Sequence, residues 1–169
     1  MTLQPLQTAE NPATTSVPEV GEPAPDFELV NQYGEPVRLS ELRGRNVVVV
    51  FYPFAFSGIC TGELCEIRDN LSLFEDANAT VLAISVDSKF TVRAYAEKEG
   101  YGFDLLADFW PHGDVASEYG VFDPASGMAK RGTFIIDAHG IIRYVVVNPR
   151  GQARDLAGYR AALSELGGN

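Results

Sequence analysis

Cysteine, histidine and tryptophan are scarce in this chain, with two, two and one among 169 residues. Two cysteines cannot build the disulfide framework of a small secreted domain; they fit a reducing compartment in which thiols react or sense. His112 and His139 are far apart in the chain. That spacing does not suit a zinc site, so no metal is expected. Basic residues are also few: 13 Lys and Arg face 23 Asp and Glu, for a net charge of −10. An acidic surface repels phosphate backbones and anionic lipid, which argues against nucleic-acid and membrane partners. No apolar run approaches the roughly 20 residues of a membrane span. The first twenty residues hold no Lys or Arg and no apolar block. They are not read as a secretory signal, and the expected location is cytoplasmic. No glycine-rich phosphate loop follows a strand, so no cofactor is expected.

What is present is the composition of an ordinary folded domain, with 46% hydrophobic and 21% charged residues. Residues 1–19, rich in Thr, Pro, Gln and Asn, are predicted to be a disordered leader, with packing on a partner subunit as the alternative. Residues 20–169 form the predicted domain. A short hairpin is expected over 26–39. The β-branched run Val47–Tyr52 reads as a central strand buried on both faces. A helix is predicted from Ser57 to Phe74, with Ile59, Leu64, Ile67, Leu71 and Phe74 as its apolar stripe. A second central strand spans 80–86, and a helix spans 88–98. A short strand and a short helix follow at 103–106 and 114–119. A hairpin pairs 132–137 with 141–147, and a helix closes the chain at 153–166. Strand–helix alternation ending in a hairpin predicts an α/β fold with a mixed central sheet flanked by helices.

Both cysteines fall in one segment, Pro53-Phe54-Ala55-Phe56-Ser57-Gly58-Ile59-Cys60-Thr61-Gly62-Glu63-Leu64-Cys65. It leaves a buried strand and enters a helix, so Cys60 sits near the positive end of the helix dipole. That position favours thiolate over thiol. Ser57 is the expected N-cap, with its hydroxyl on a free backbone N–H. A lowered pKa alone gives little speed. At a pKa of about 8.5 roughly 3% of a thiol is ionised at pH 7. A drop to about 6 raises that about 30-fold, while the accompanying loss of nucleophilicity is about tenfold. Fast attack therefore needs donors aimed at the leaving group, and an arginine from elsewhere in the chain is the expected source.

Pro53-x3-Ser57-x2-Cys60 resembles the peroxiredoxin active-site pattern, and Arg131, just ahead of Gly132-Thr133-Phe134, stands where that family keeps an arginine. The text around Phe109-Trp110-Pro111-His112-Gly113 and Tyr119-Gly120-Val121-Phe122 is similar to the AhpE-type branch. The resemblance implies a thioredoxin-like fold and a thiol peroxidase acting on hydrogen peroxide and organic hydroperoxides. It assigns Cys60 as the nucleophile that becomes sulfenic acid. Ser57 would hydrogen-bond the peroxide, Arg131 would hold the thiolate and polarise the oxygen–oxygen bond, and Pro53 would shield the sulfur. The Cys60-x4-Cys65 spacing resembles instead the peroxiredoxin Q (bacterioferritin comigratory protein) branch, which implies Cys65 as a resolving thiol. On an ideal helix residues five apart have Cα atoms roughly 8–9 Å apart, and a disulfide needs less than about 7 Å. The helix start, loosened by Gly58 and Gly62, is therefore expected to unwind for that bond to form. The reductant implied is a thioredoxin-, mycoredoxin- or glutaredoxin-like dithiol or a small thiol, and the assembly implied is a homodimer. Phe54, Phe56 and Trp110 are read either as a pocket mouth, as a subunit contact or as core. Two alternatives remain open at this level: a one-cysteine enzyme in which an external thiol resolves Cys60 and Cys65 is packing, and a thioredoxin-fold binding module that only senses oxidant.

Overall fold

A computed structural model describes residues 15–149 and 151–167. Most of the expected leader, residues 1–14, lies outside the described residues. Of its remainder, Pro18 is buried and Val17 packs against the core. The elements are β1 (Glu28–Val30), β2 (Pro36–Arg38), β3 (Asn46–Phe51), α1 (Gly58–Asp69), α2 (Leu71–Asp76), β4 (Ala79–Ser85), α3 (Lys89–Glu99) and β5 (Asp104–Ala107). They continue with α4 (Asp114–Glu118), β6 (Phe122–Asp123), β7 (Met128–Ala129), β8 (Arg131–Ile136), β9 (Ile142–Asn148) and α5 (Leu156–Gly167).

Seven strands form one mixed sheet in the order β2-β1-β5-β4-β3-β8-β9. The three central neighbours β5, β4 and β3 run parallel, and β8 and β9 add antiparallel on the far side. The side-chain alternation of β3 divides the core. Val48, Val50 and Tyr52 face α1, α2, α3 and α5 and share a cluster with Cys60, Leu64, Ile67, Tyr95 and Leu163. Val47, Val49 and Phe51 face the other way, toward Phe27, Leu39, Val115 and Tyr119. A strand with every side chain needed by one layer or the other has to be apolar throughout, which accounts for the unbroken run at 47–52.

The structure corrects several boundaries. The helix expected from 57 to 74 is two helices. Asn70 separates them, with φ −120° and ψ 28°, and its side chain donates to the Glu66 carbonyl at 2.8 Å. An asparagine amide that takes a helix carbonyl competes with the backbone ladder and ends it. Ile59, placed on the apolar stripe by the sequence, is exposed, and Cys60 takes the inward position. The last helix starts at Leu156 rather than residue 153; the Arg154 backbone N–H, just ahead of it, donates to Glu63. The β6–β7 hairpin has no counterpart in the sequence reading.

Asp108 ends the β5 loop and is fully buried, with its two carboxylate oxygens accepting from Val115 N (3.1 Å) and Ala116 N (2.9 Å) at the start of α4. Burial outweighs these bonds and pushes its pKa up to about 6. A carboxyl with a raised folded-state pKa binds more protons folded than unfolded between about pH 4 and 6. Its contribution to stability is thus present at low pH and is lost as pH rises through that window. Relative to Asp108→Asn, the unaltered protein is expected to lose roughly 2–3 kcal/mol between pH 4 and pH 7, measured by denaturant unfolding at each pH.

Candidate active site

α1 begins at Gly58, which makes Cys60 its third residue. Ser57 occupies the N-cap position with extended backbone (φ −76°, ψ 145°), but its side chain makes no capping hydrogen bond. The first turn is closed by main chain instead: Thr61 N donates to the Ser57 carbonyl at 2.9 Å, and Thr61 Oγ1 donates to the same oxygen at 2.8 Å. The Ser57 hydroxyl is left buried and unpartnered. The expected cap is therefore corrected to a free hydroxyl at the helix entrance.

Cys60 is buried among Val50, Tyr52, Leu64 and Tyr95. Three residues on, one helical turn along the same face, comes Glu63. The sequence reading passed over it, and it organises the site. Glu63 is buried and holds two buried arginines. Arg131 Nη1 donates to its Oε1. Arg154 donates from Nε to Oε2 at 2.8 Å, from Nη2 to Oε1 at 3.2 Å and from its backbone N to Oε2 at 2.7 Å. Nη1 of Arg154 ties the group to the sheet through the carbonyls of Phe51 (2.6 Å) and Gly132 (2.9 Å). Burial alone would raise the Glu63 pKa; the Arg154 hydrogen bonds, with the charges of both arginines, hold it below the ordinary carboxylate range. Two guanidiniums and one carboxylate leave one net positive charge, with little solvent to screen it.

Arg131 Nε has no partner. The Tyr52 hydroxyl, which feels Ser85, forms no hydrogen bond of normal geometry, and burial pushes that phenol far above its usual range, so it stays a neutral donor. Among the described residues four buried side-chain polar atoms lack partners, and three of them belong to Tyr52, Ser57 and Arg131. Native proteins leave few such groups unsatisfied, at a cost of about 1–3 kcal/mol each. Two of the three, Tyr52 and Ser57, lie in the segment that leads from β3 into α1, and the third belongs to the arginine held by Glu63 of that helix.

Pro53 and Arg131 line one cavity of about 320 Å³, with Met128, Ala129, Lys130 and Val147 among its other walls. Cys60 and Ser57 do not line it. The second cysteine lies on the same helix, half-buried; its sulfur meets Glu99 Oε2 at 3.6 Å and the Tyr101 hydroxyl at 3.7 Å. Both cysteines are free thiols. His112 bonds the Gly127 carbonyl at 2.7 Å on the surface.

The AhpC/TSA family model matches residues 20–145. Alkyl hydroperoxide reductase E of Mycobacterium tuberculosis is 47% identical over 148 residues, 87% of this chain and 97% of the relative. The chain belongs to the AhpC/TSA family. Peroxiredoxin-2 of Bos taurus is 38% identical over 82% of the chain and 74% of its own length. The crystal structure of peroxidoxin BcpB from Mycobacterium tuberculosis superposes with a TM-score of 0.77 at 34% identity, covering 87% of this chain and 95% of that one. These relatives bear out the expected peroxiredoxin membership, the thioredoxin-like α/β fold and the thiol peroxidase class.

Glu63 and Arg154 were legible only in part. A glutamate on the helix stripe that carries Cys60, Leu64 and Ile67 is a charge on a buried face, and a buried charge demands a partner. Nothing in the sequence says that the partner comes from position 154. Glu63→Gln leaves two buried guanidiniums without an anion and is expected to cost roughly 3–5 kcal/mol at pH 7, read as a melting temperature lower by about 10 °C. Because the folded-state pKa of Glu63 is lowered, its contribution exists above the unfolded value and fades as pH falls through the folded one. The gap between variant and unaltered protein is expected to close below about pH 4.

Proposed function

We propose that this peroxiredoxin reduces hydrogen peroxide and organic hydroperoxides through Cys60, with Cys65 as its resolving thiol. The observation that carries the reading is the buried Glu63–Arg131–Arg154 group, which carries one surplus positive charge and is held by Glu63, one helical turn after Cys60 on α1. A thiolate is the anion that balances it. The Cys60 thiolate attacks one peroxide oxygen; the S–O bond forms and the O–O bond breaks. The released hydroxide or alkoxide leaves as water or alcohol after taking a proton. Cys60 is oxidised to sulfenic acid, and the peroxide is reduced by two electrons. The unpartnered Arg131 Nε and Ser57 hydroxyl supply donors for the developing oxygen charge. Pro53 borders the same cavity as Arg131, and the Met128, Ala129 and Val147 walls suit an apolar substituent on a hydroperoxide, in keeping with the name of the mycobacterial relative.

The Cys65 thiolate then attacks the Cys60 sulfur. The S–S bond forms, the S–O bond breaks, and hydroxide leaves as water with the thiol proton. A thioredoxin-, mycoredoxin- or glutaredoxin-like dithiol, or a small thiol, returns the pair to the reduced state. Two free cysteines suit a cytoplasmic setting, and no helix among the described residues is long and apolar enough to cross a membrane.

A homodimer is part of the same reading. Parallel β3, β4 and β5 end at one edge of the sheet. The segments that follow them carry exposed Phe54 and Phe56, then Phe90 in the first turn of α3, then Phe109 and Trp110, the last 82% exposed. Ala55 N to Asp87 Oδ2 (2.8 Å) and Asp108 N to Ser85 O (2.8 Å) join the loops side by side. Exposed aromatics gathered at one end of the sheet are surface suited to a symmetric contact with a second copy. Trp110→Glu is expected to convert a dimer to a monomer in light scattering.

Peroxide consumption tests the chemistry. Cys60→Ser is expected to abolish it, and unchanged turnover would leave only the sensing module. Arg131→Met is expected to lower kcat/KM roughly 10²–10³-fold. After one equivalent of peroxide, a mass loss of two hydrogens is expected for the unaltered protein, and a gain of one oxygen for Cys65→Ser. A lasting oxygen adduct in the unaltered protein would favour the one-cysteine enzyme.

A further inference from the structure

The β6–β7 hairpin is a two-stranded sheet of its own, apart from the seven-stranded one. A two-stranded ribbon has little stability alone, so where it lies depends on what holds it. Its root is tied by main chain: Lys130 N donates to the Val121 carbonyl at 2.6 Å, and Val121 N donates to the Ala116 carbonyl of α4 at 2.9 Å. Its far end is tied by a side chain. His112 Nε2 lies 2.7 Å from the Gly127 carbonyl, and a carbonyl only accepts, so Nε2 carries the proton. The His112 ring also meets the Phe122 ring edge-on, with centroids 5.9 Å apart. Gly113 makes room for Phe122, since a Cβ there would fall 2.4 Å from its ring. His112 itself stands on a fixed base. Its turn is closed by Gly113 N on the Asp108 carbonyl (3.0 Å) and by Asp114 N on the Pro111 carbonyl (3.1 Å), and the buried Asp108 side chain bonds the start of α4.

The carbonyl that His112 holds belongs to the peptide between Gly127 and Met128. Met128 and Ala129, with Val147, are apolar walls of the cavity that Pro53 and Arg131 also border. We propose that His112 is a positioning residue that determines specificity: by fixing the Gly127–Met128 peptide it sets the apolar wall on which the substituent of an organic hydroperoxide packs. This role rests on the reading of Cys60 as the peroxide-reducing thiol and of this cavity as the place of the substituent. Hydrogen peroxide has no substituent and needs only the donors at the Arg131 end. An alkyl or aryl hydroperoxide gains from the wall in proportion to the apolar area it covers, and only while the wall keeps its place. A hairpin released at its far end no longer holds Met128 and Ala129 against that substituent. Loss of His112 therefore separates the two substrates: reaction with a bulky hydroperoxide slows, and reaction with hydrogen peroxide is spared.

His112→Ala cuts the tie at an exposed position and leaves Cys60 and the Glu63 group unaltered. One hydrogen bond is worth roughly a two- to tenfold factor. The second-order rate constant for Cys60 oxidation, read by rapid quench and mass spectrometry, is expected to fall about fivefold with cumene hydroperoxide and to stay within about twofold with hydrogen peroxide. His112→Gln places an amide N–H donor about where Nε2 stands, and is expected to bring the cumene hydroperoxide rate back to within about twofold of the unaltered protein. No loss with cumene hydroperoxide, a loss as large with hydrogen peroxide, or no recovery in His112→Gln would each overturn the role of His112. Absence of Cys60 oxidation by either peroxide in the unaltered protein would instead overturn the peroxidase reading, and the specificity role with it.

Discussion

One carboxylate holds the site together. Glu63 takes hydrogen bonds from two buried arginines that arrive from different parts of the fold, Arg131 from the start of β8 and Arg154 from the loop before α5. Without it, two guanidiniums would face each other in a dry interior, and neither could be kept there. With it, the group is stable and still one positive charge in excess. A neutral cluster would hold the helix to the sheet equally well but would leave no surplus charge beside it.

The sheet accounts for why these groups meet. β3 delivers the Cys60 segment at its C-terminal end, and its antiparallel neighbour β8 begins with Arg131 at that same edge. Arg154 Nη1 bridges the two strands through Phe51 and Gly132. The cation therefore doubles as a clamp on the strand pair that leads to Cys60 and Arg131. Ligand sites of open α/β sheets gather beyond the carboxyl ends of parallel strands, and the exposed aromatics that follow β3, β4 and β5 lie at that end as well.

Most of the architecture was legible in the sequence. The β-branched run at 47–52 and the late hairpin carry periodicities that few other elements share, and the strand–helix order then leaves little freedom in the sheet. Helix ends were less legible, because they depend on single side-chain hydrogen bonds such as those of Asn70 and Arg154. At the site, the Pro53–Cys60 segment and Arg131 could be read because their spacing is local or tied to a strand. Ser57 was assigned to the right place with the wrong bond, since the peptide carbonyl caps the turn and leaves the hydroxyl unused. Glu63 showed only as a charge on an apolar stripe. Arg154 could not be found, because a partner 91 positions away is fixed by tertiary packing alone.

That long separation bears on how the molecule comes into being. A ribosome releases the cysteine-bearing helix well before the arginine that completes its counter-charge. Until the C-terminal stretch docks, Glu63 has at most one cation. The buried charge group is thus completed only when that stretch is in place, and a nascent or truncated polypeptide holds an unfinished cluster at that position.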